Sequence, residues 1–197
     1  FSYAREAIRQ EALAYLLKPV DPGELAEALG VKCYDSELIN ETAKASGFAE
    51  SFVQSHEEQR PGSFLYSLVT GGGVISDEQP FPVQIFQAQS EVIRAIAARE
   101  SCVIVGRCAD YILRDTADCL KVFIHADLAF RAHRIVEVYG QREQSPEERL
   151  RDKDKRRDAY HRFYTNMKWG HAQNYHLTLD SGVIGIDKCV DIIAELY

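Results

Sequence analysis

The chain has 197 residues, 46% of them hydrophobic and 27% charged, and its 23 Lys and Arg against 30 Asp and Glu give a formal net charge of −7. That mix has room for a real core and excludes disordered and fibrous classes. The acidic balance argues against nucleic acid or an anionic membrane as a general partner, because both kinds of binding rest on a basic surface.

No apolar run approaches the ~20 residues of a spanning helix, and no charged-then-apolar secretory pattern is read at the start. The five cysteines, Cys33, Cys102, Cys108, Cys119 and Cys189, form no CxxC pair, and the six histidines show no HxxxH or HExxH spacing. Neither a disulfide framework nor a metal site is suggested, and a reduced, cytoplasmic protein is expected. Residue 1 is Phe and the single methionine is Met167, so a longer reading frame is expected.

Tyr3 to Ala12 reads as helix, with Ala4, Ala7 and Ile8 on one face. Leu13 to Leu17 is a short apolar run ended by Lys18-Pro19, the pattern of a buried strand. Asp21-Pro22-Gly23-Glu24 then opens a helix through Leu29, with Asp21 at the N-cap, Pro22 first in the helix and Glu24 completing a capping box. Gly30 ends it, and Val31 to Tyr34 is a second strand. Ser36 to Ala49 reads as helix, and about 50–85 is an irregular insertion rich in charges, glycine and proline. Phe86 to Arg99 is an amphipathic helix with Ile85, Ala88, Val92 and Ile96 inward.

Cys102 to Val105, Leu120 to Ala126 and Tyr175 to Leu179 are continuous apolar runs, expected of strands covered on both faces. Helices over Leu128 to Tyr139, Pro146 to about Thr165 and Ile186 to Leu196 separate or follow them. Strands alternating with helices predict a parallel sheet in a three-layer α/β fold.

Ligands of such sheets bind beyond the carboxyl ends of the strands. Gly106-Arg107 occupies one such end: the glycine lets backbone approach a ligand, and the guanidinium grips phosphate through two parallel bonds. The bland alternative is an arginine paired with a surface carboxylate. The segment Arg149 to Arg157, RLRDKDKRR, carries six basic residues and two acids, 6 − 2 = +4. On a helix Arg151, Asp154 and Arg157 share one face, two arginines for phosphate oxygens and a carboxylate for sugar hydroxyls. A solvated helix laced with ion pairs is the alternative. Gly71-Gly72-Gly73 lacks the Lys-Ser or Lys-Thr of a phosphate loop and reads as a plain loop. The aromatic series Tyr160, Phe163, Tyr164, Trp169 and Tyr175 offers a surface for a base, or an anchor for the end of the lid helix. Cys108, beside Arg107, is a candidate reactive thiol whose lowered pKa nothing in the sequence supports.

From Leu25 onward these pieces resemble the cytidylate kinase-like family, relatives of the P-loop nucleoside-monophosphate kinases. The resemblance lies in LAEALGVKCYDSELI (Leu25 to Ile39), QSEVIRAIAARESCVIVGRCADYILRD (Gln89 to Asp115), VFIHADLAFRAHRI (Val122 to Ile135) and DKDKRRDAYHRFYTNMKWGHAQNYHLTLDSGVIG (Asp152 to Gly185). It implies phosphoryl transfer from ATP, with Mg²⁺, to CMP or a related monophosphate. It further implies Arg107 on the acceptor phosphate, Arg151 and Arg157 on the migrating phosphoryl group and Asp154 on the sugar. Asp35, Ser36 and Asp110 would lie at the acceptor site, and the lid would span about 146–172 of a domain running 30–197.

Two departures stand out. Cytidylate kinases proper have an aspartate directly after the Gly-Arg pair, where this chain has Cys108, and a basic residue a turn after Asp35-Ser36, where it has Asn40 and Glu41. The family's opening Gly-rich phosphate loop is also missing, leaving Lys18 as a weak donor-phosphate candidate. In the loop's place Tyr3 to Leu29 resembles the closing segment of a response-regulator receiver domain, so residues 1–29 are expected to supply the first strand and helix as a receiver tail, with the rest of a receiver upstream. A poor kinase, or a nucleotide-sensing module fused to a receiver, is expected.

Overall fold

The computed structural model describes residues 14–15, 21–35, 41, 81–116 and 118–197. The chain runs β1 (Ala14–Tyr15), α1 (Pro22–Leu29), β2 (Lys32–Tyr34), α2 (Phe81–Arg99), β3 (Cys102–Ile104), α3 (Ala109–Ile112) and β4 (Val122–His125). It continues through α4 (Leu128–Tyr139), α5 (Pro146–Thr165), a 3-10 turn at Ala172–Asn174, β5 (Leu177–Asp180), α6 (Ser181–Ile184) and α7 (Ile186–Leu196). The helix expected over 3–12, Lys18, Ser36, the glycines at 71–73 and, apart from the helical Glu41, the helix expected over 36–49 lie outside the described residues.

All strand pairs are parallel. β3 lies between β1 and β2, with Ala14 opposite Val103 and Tyr34 opposite Ile104. β4 pairs with β5, Val122 opposite Leu177 and His125 opposite Asp180, and β1 also touches β4.

Why these residues form these elements is visible at their ends. Asp21 caps α1 by accepting the Gly23 N–H on Oδ1 at 2.8 Å, and Gly30 closes the helix at φ 66° in the left-handed region glycine tolerates. One expectation needs correction. α2 begins at Phe81, so residues 81–85, read from the sequence as insertion, are helical. Pro82 fits a first helical turn, where its missing N–H costs nothing, and Ile85 is already buried there.

The side-chain period of two sorts the strand residues onto two cores. Cys102 and Ile104 of β3 and Phe123 of β4 join Val92, Ile93 and Ile96 of α2, with Ile112 and Tyr175. Val103 of β3 and Val122 and Ile124 of β4 join Leu25 of α1 and Cys189 and Ile193 of α7. Both faces of β3 and β4 are therefore covered by apolar side chains, as the continuous runs predicted.

Two local features govern stability. Gly170, at φ 69°, sits against Phe123, whose Cζ would lie 2.8 Å from an added Cβ. Phe123 in turn packs edge-on to Trp169, ring centres 5.7 Å apart, and against Tyr175 at 4.9 Å. Gly170→Ala is expected to cost about 2 kcal/mol or more from the left-handed backbone and the clash together, lowering the melting temperature by about 4–8 °C for a chain of this size. Gly140→Ala, at φ 71° with no atom within 4 Å of the added Cβ, should cost less. Calorimetry of the two variants separates clash from backbone strain.

Glu100, between α2 and β3, accepts the Tyr34 hydroxyl at 2.6 Å and pairs with Lys32 and Arg99, each at 2.8 Å. The Lys32 hydrogen bond, then those from Tyr34 and Arg99, lower its carboxyl pKa from 4.5 to about 2. A carboxyl depressed on folding stabilises above its unfolded pKa and loses that contribution as pH falls through the folded value. The contribution of Glu100 should thus be complete above about pH 4.5 and disappear toward about pH 2. Denaturation curves of Glu100→Gln and the parent should differ at pH 6 and converge near pH 2.

Candidate functional site

Parallel register brings strand carboxyl ends together within each group. Asp35 follows β2 and is exposed; beside it the chain leaves β3 through Val105, whose N–H bonds the Tyr34 carbonyl at 3.2 Å. It then turns through Gly106, Arg107 and Cys108 at φ 77°, 57° and 55°. Left-handed backbone is ordinary for glycine but costs about 1–3 kcal/mol at each of the other two, and such residues persist only where their surroundings over-determine them. Here Ala109 N–H bonds Gly106 O at 3.1 Å, and Cys108 O accepts Tyr111 and Ile112 N–H at 3.0 and 2.9 Å. Cys108 and Ala109 are buried, while Arg107 is partly buried on the turn. Burial, followed by the charge of Asp110, pushes the Cys108 thiol well above its ordinary range, so it is not the reactive group weighed from the sequence.

α5 carries the charged segment. Ser145 caps it by accepting the Glu148 N–H at 3.3 Å, Pro146 opens it, and Asn166 closes it at φ 55°. The i, i+3, i+6 face holds: Arg157 Nη1 lies 3.5 Å from Asp154 Oδ1, while Arg151 is exposed with no ion pair among the described residues. The principal partner of Asp154 comes from α4. Arg131 grips it with both fork nitrogens, Nη1 to Oδ2 at 2.8 Å and Nη2 to Oδ1 at 2.9 Å. Arg131 and Asp154 are 19% and 27% exposed, so the pair is partly withdrawn from water. Two guanidiniums thus converge on one carboxylate, which holds both fork nitrogens of Arg131 and leaves most of the Arg157 fork uncommitted to it.

Asp110, expected at the acceptor site, is buried directly beneath the Arg107 turn. Its Oδ2 lies 2.9 Å from Nε2 of His161 on α5, both side chains 2% exposed or less. Around this pair the aromatic series anchors α5. Tyr164 stacks on Phe86 at 4.1 Å and donates to Pro82 O at 2.9 Å, and Tyr160 donates to Gln89 Oε1 at 2.9 Å. Burial, then the Asp110 charge, raises the Tyr175 hydroxyl pKa, and burial raises that of Tyr164. Tyr160 and Tyr164 therefore hold the end of α5 against α2, in line with the anchoring rather than the base-stacking reading of the series. Among the described residues no three His, Cys, Asp or Glu side chains converge to hold a metal, and no helix is long and apolar enough to cross a membrane.

The model of the cytidylate kinase-like family matches residues 23–183. The chain belongs to this family. Asp35, Arg107, Asp110, Arg131, Arg151, Asp154, Arg157 and His161 all fall inside the match. Among solved structures, an uncharacterized protein from Eubacterium ventriosum ATCC 27560 is 28% identical, covering 95% of this chain and 97% of its own, with a TM-score of 0.68. A gluconokinase from Sinorhizobium meliloti 1021 is 13% identical over 94% of this chain and 96% of its own, with a TM-score of 0.40. No curated protein matches the chain.

Sequence reasoning in this cytidylate kinase-like protein passed over Arg131 and His161. The signal for Arg131 is a charge inside the apolar stripe of α4, between Leu128, Ala132 and Ile135. For His161 it is a place in the buried stripe it forms with Thr165, between the aromatic residues Tyr160 and Tyr164.

Removing the Asp154 carboxylate should leave the half-buried Arg131 unpaired. Asp154→Ala is therefore expected to destabilise the protein by about 1–2 kcal/mol, below the cost for a fully buried pair because water still reaches it. Arg151→Ala should change stability by under about 0.5 kcal/mol, as surface substitutions do. Urea titrations check both.

Proposed function

We propose that this member of the cytidylate kinase-like family binds a nucleoside monophosphate, CMP or a relative, and transfers a phosphoryl group to it from ATP with reduced efficiency. The observation that carries the reading is the convergence of Arg131 and Arg157 on Asp154, on the helix whose sequence resembles the family's lid. Phosphoryl transfer asks little covalent chemistry of a protein and much positioning of positive charge around equatorial oxygens. In this scheme Arg107, on its turn at the end of β3, binds the acceptor phosphate. Arg151 and Arg157 neutralise the migrating group, Asp154 accepts from the sugar hydroxyls, and Asp35 and Ser36 border the acceptor with Asp110 nearby. Mg²⁺ enters with ATP as part of the substrate, held chiefly by its phosphates. Coverage of both strand faces supports a three-layer sheet of the nucleoside-monophosphate kinase type, with a domain at 30–197 and a lid at about 146–172. The reading of residues 1–29 as a receiver tail, with the rest of a receiver upstream, rests on the sequence resemblance, and most of that tail precedes the family match.

Reduced efficiency follows from the entry to α1. A phosphate loop aims backbone N–H groups at a helix N-terminus toward the donor phosphates. Here Asp21 takes the Gly23 N–H for itself and places a negative charge at that terminus. Pro19 and Pro22 contribute no N–H at all. Each missing donor interaction costs about 10²-fold in rate.

A coupled assay with ATP, Mg²⁺ and CMP tests the reading, alongside thermal shifts with CMP, UMP, AMP and GMP. A pyrimidine monophosphate at ~100 times its dissociation constant should add about 2.7 kcal/mol of stability. Turnover should be measurable but below the ~1 s⁻¹ at which kinases usually begin. Binding without turnover would favour a sensing module, and no shift with any monophosphate at millimolar concentration would overturn the proposal. Arg157→Ala should weaken binding about tenfold, a charge-assisted contact's worth, with the melting temperature of the free protein little changed.

A further inference from the structure

We infer that Asp110 and His161 are positioning residues, forming a buried bridge that sets the Gly106–Cys108 turn, and with it Arg107, in register with the charged face of α5. The inference rests on the nucleotide-binding reading above for its consequence, and on geometry alone for the bridge.

The proton positions follow from the partners. His161 Nδ1 faces Met167 O at 3.3 Å and Thr165 Oγ1 at 3.2 Å. Thr165 donates its hydroxyl hydrogen to His161 O at 2.7 Å and accepts the Met167 N–H at 3.1 Å, so its oxygen offers Nδ1 a lone pair. Both neighbours of Nδ1 are acceptors, which places a hydrogen on Nδ1. Nε2 faces the Asp110 carboxylate at 2.9 Å, so a second hydrogen lies between ring and carboxylate. The ring is fixed at both nitrogens and cannot rotate without leaving a buried polar atom unpaired.

The two ends of the bridge matter because of what adjoins them. Asp110 is the second residue of α3, with Ala109 between it and the left-handed Arg107 and Cys108, so its attachment to α5 is one of the constraints holding that turn. His161 lies four residues after Arg157 and seven after Asp154, on the same side of α5. Fixing the imidazole therefore fixes the rotation of α5 about its own axis, and that rotation aims Asp154 and Arg157. A single hydrogen bond thus links the orientation of the acceptor arginine to that of the lid charges, the supporting role that outer residues play for a binding group.

The test compares His161→Phe, which keeps a ring but has no donor, with His161→Gln, which returns an N–H toward Asp110. Ile193→Val, in the other core cluster, is the control for general loosening. The backbone amide resonances of Gly106, Arg107 and Cys108 and the dissociation constant for CMP are measured at a temperature where each variant is fully folded. His161→Phe should shift all three amides and weaken CMP binding about tenfold or more, with affinity largely recovered in His161→Gln. Ile193→Val, which loosens a cluster that includes neither Asp110 nor His161, should leave both within about twofold of the parent. Unshifted amides and parental affinity in folded His161→Phe would overturn the inference. If the parent itself binds no monophosphate, the kinase-type reading fails while the amide shifts still decide the bridge. If His161→Phe does not fold, Asp110→Asn, which preserves size, takes its place under the same criteria.

Discussion

β3 is bonded along both edges, by β1 and β2, and covered on both faces, by α2 on one side and by α1 and α7 on the other. Its placement is therefore fixed four times over, and the chain leaving its carboxyl end starts from a point that cannot drift. This is what permits Gly106, Arg107 and Cys108, one residue further on, to take left-handed backbone without the segment relaxing elsewhere. Arg107 stands on that turn, α3 begins directly behind it, and Asp110 on α3 reaches α5. The disposition of charge at the site is thus inherited from packing in the sheet rather than from flexible side chains finding one another.

α5 is built of two unlike halves. Its first turns carry the basic segment and touch α4 through Leu150, with Ala132 and Ile135, and through the Arg131–Asp154 fork. Its last turns carry Tyr160, His161, Tyr164 and Thr165, which meet α2, α3 and the loop before β5. Hydrophobic and aromatic burial decides where the helix lies, and polar pairs decide how it is rotated. Partial exposure leaves the fork of Arg131 on Asp154 within reach of water.

Much of the frame was legible in the sequence because it depends on short-range pattern. The apolar runs of β3 and β4 announced strands covered on both faces, though in β5 Thr178 is exposed; Asp21 announced its cap, and the i, i+3, i+6 spacing put Asp154 and Arg157 on one face. The aromatic series gave two readings, of which packing against α2 selected one. What was not legible depends on pairing between distant elements. Arg131 looks like any arginine on an amphipathic helix until α5 is laid against it. His161 stands inside the aromatic series at the end of α5, and nothing in the sequence pairs it with Asp110 fifty-one residues away. The left-handed turn had no announcement either, since neither Arg107 nor Cys108 is a residue that favours such backbone, and only tertiary constraint puts them there.

The basic stretch on α5 also makes the molecule electrically lopsided. With +4 on residues 149–157 and −7 overall, the remaining chain carries −7 − 4 = −11. At 0.1 M salt the reach of an exposed charge is about 10 Å, so an anion close to α5 senses that helix and little of the acidic remainder. At lower ionic strength the horizon widens, and the same anion begins to be repelled by the whole before it is attracted by the part. For an anion at this stretch, added salt therefore screens a distant repulsion as well as a local attraction, whereas at a uniformly basic surface it screens attraction alone.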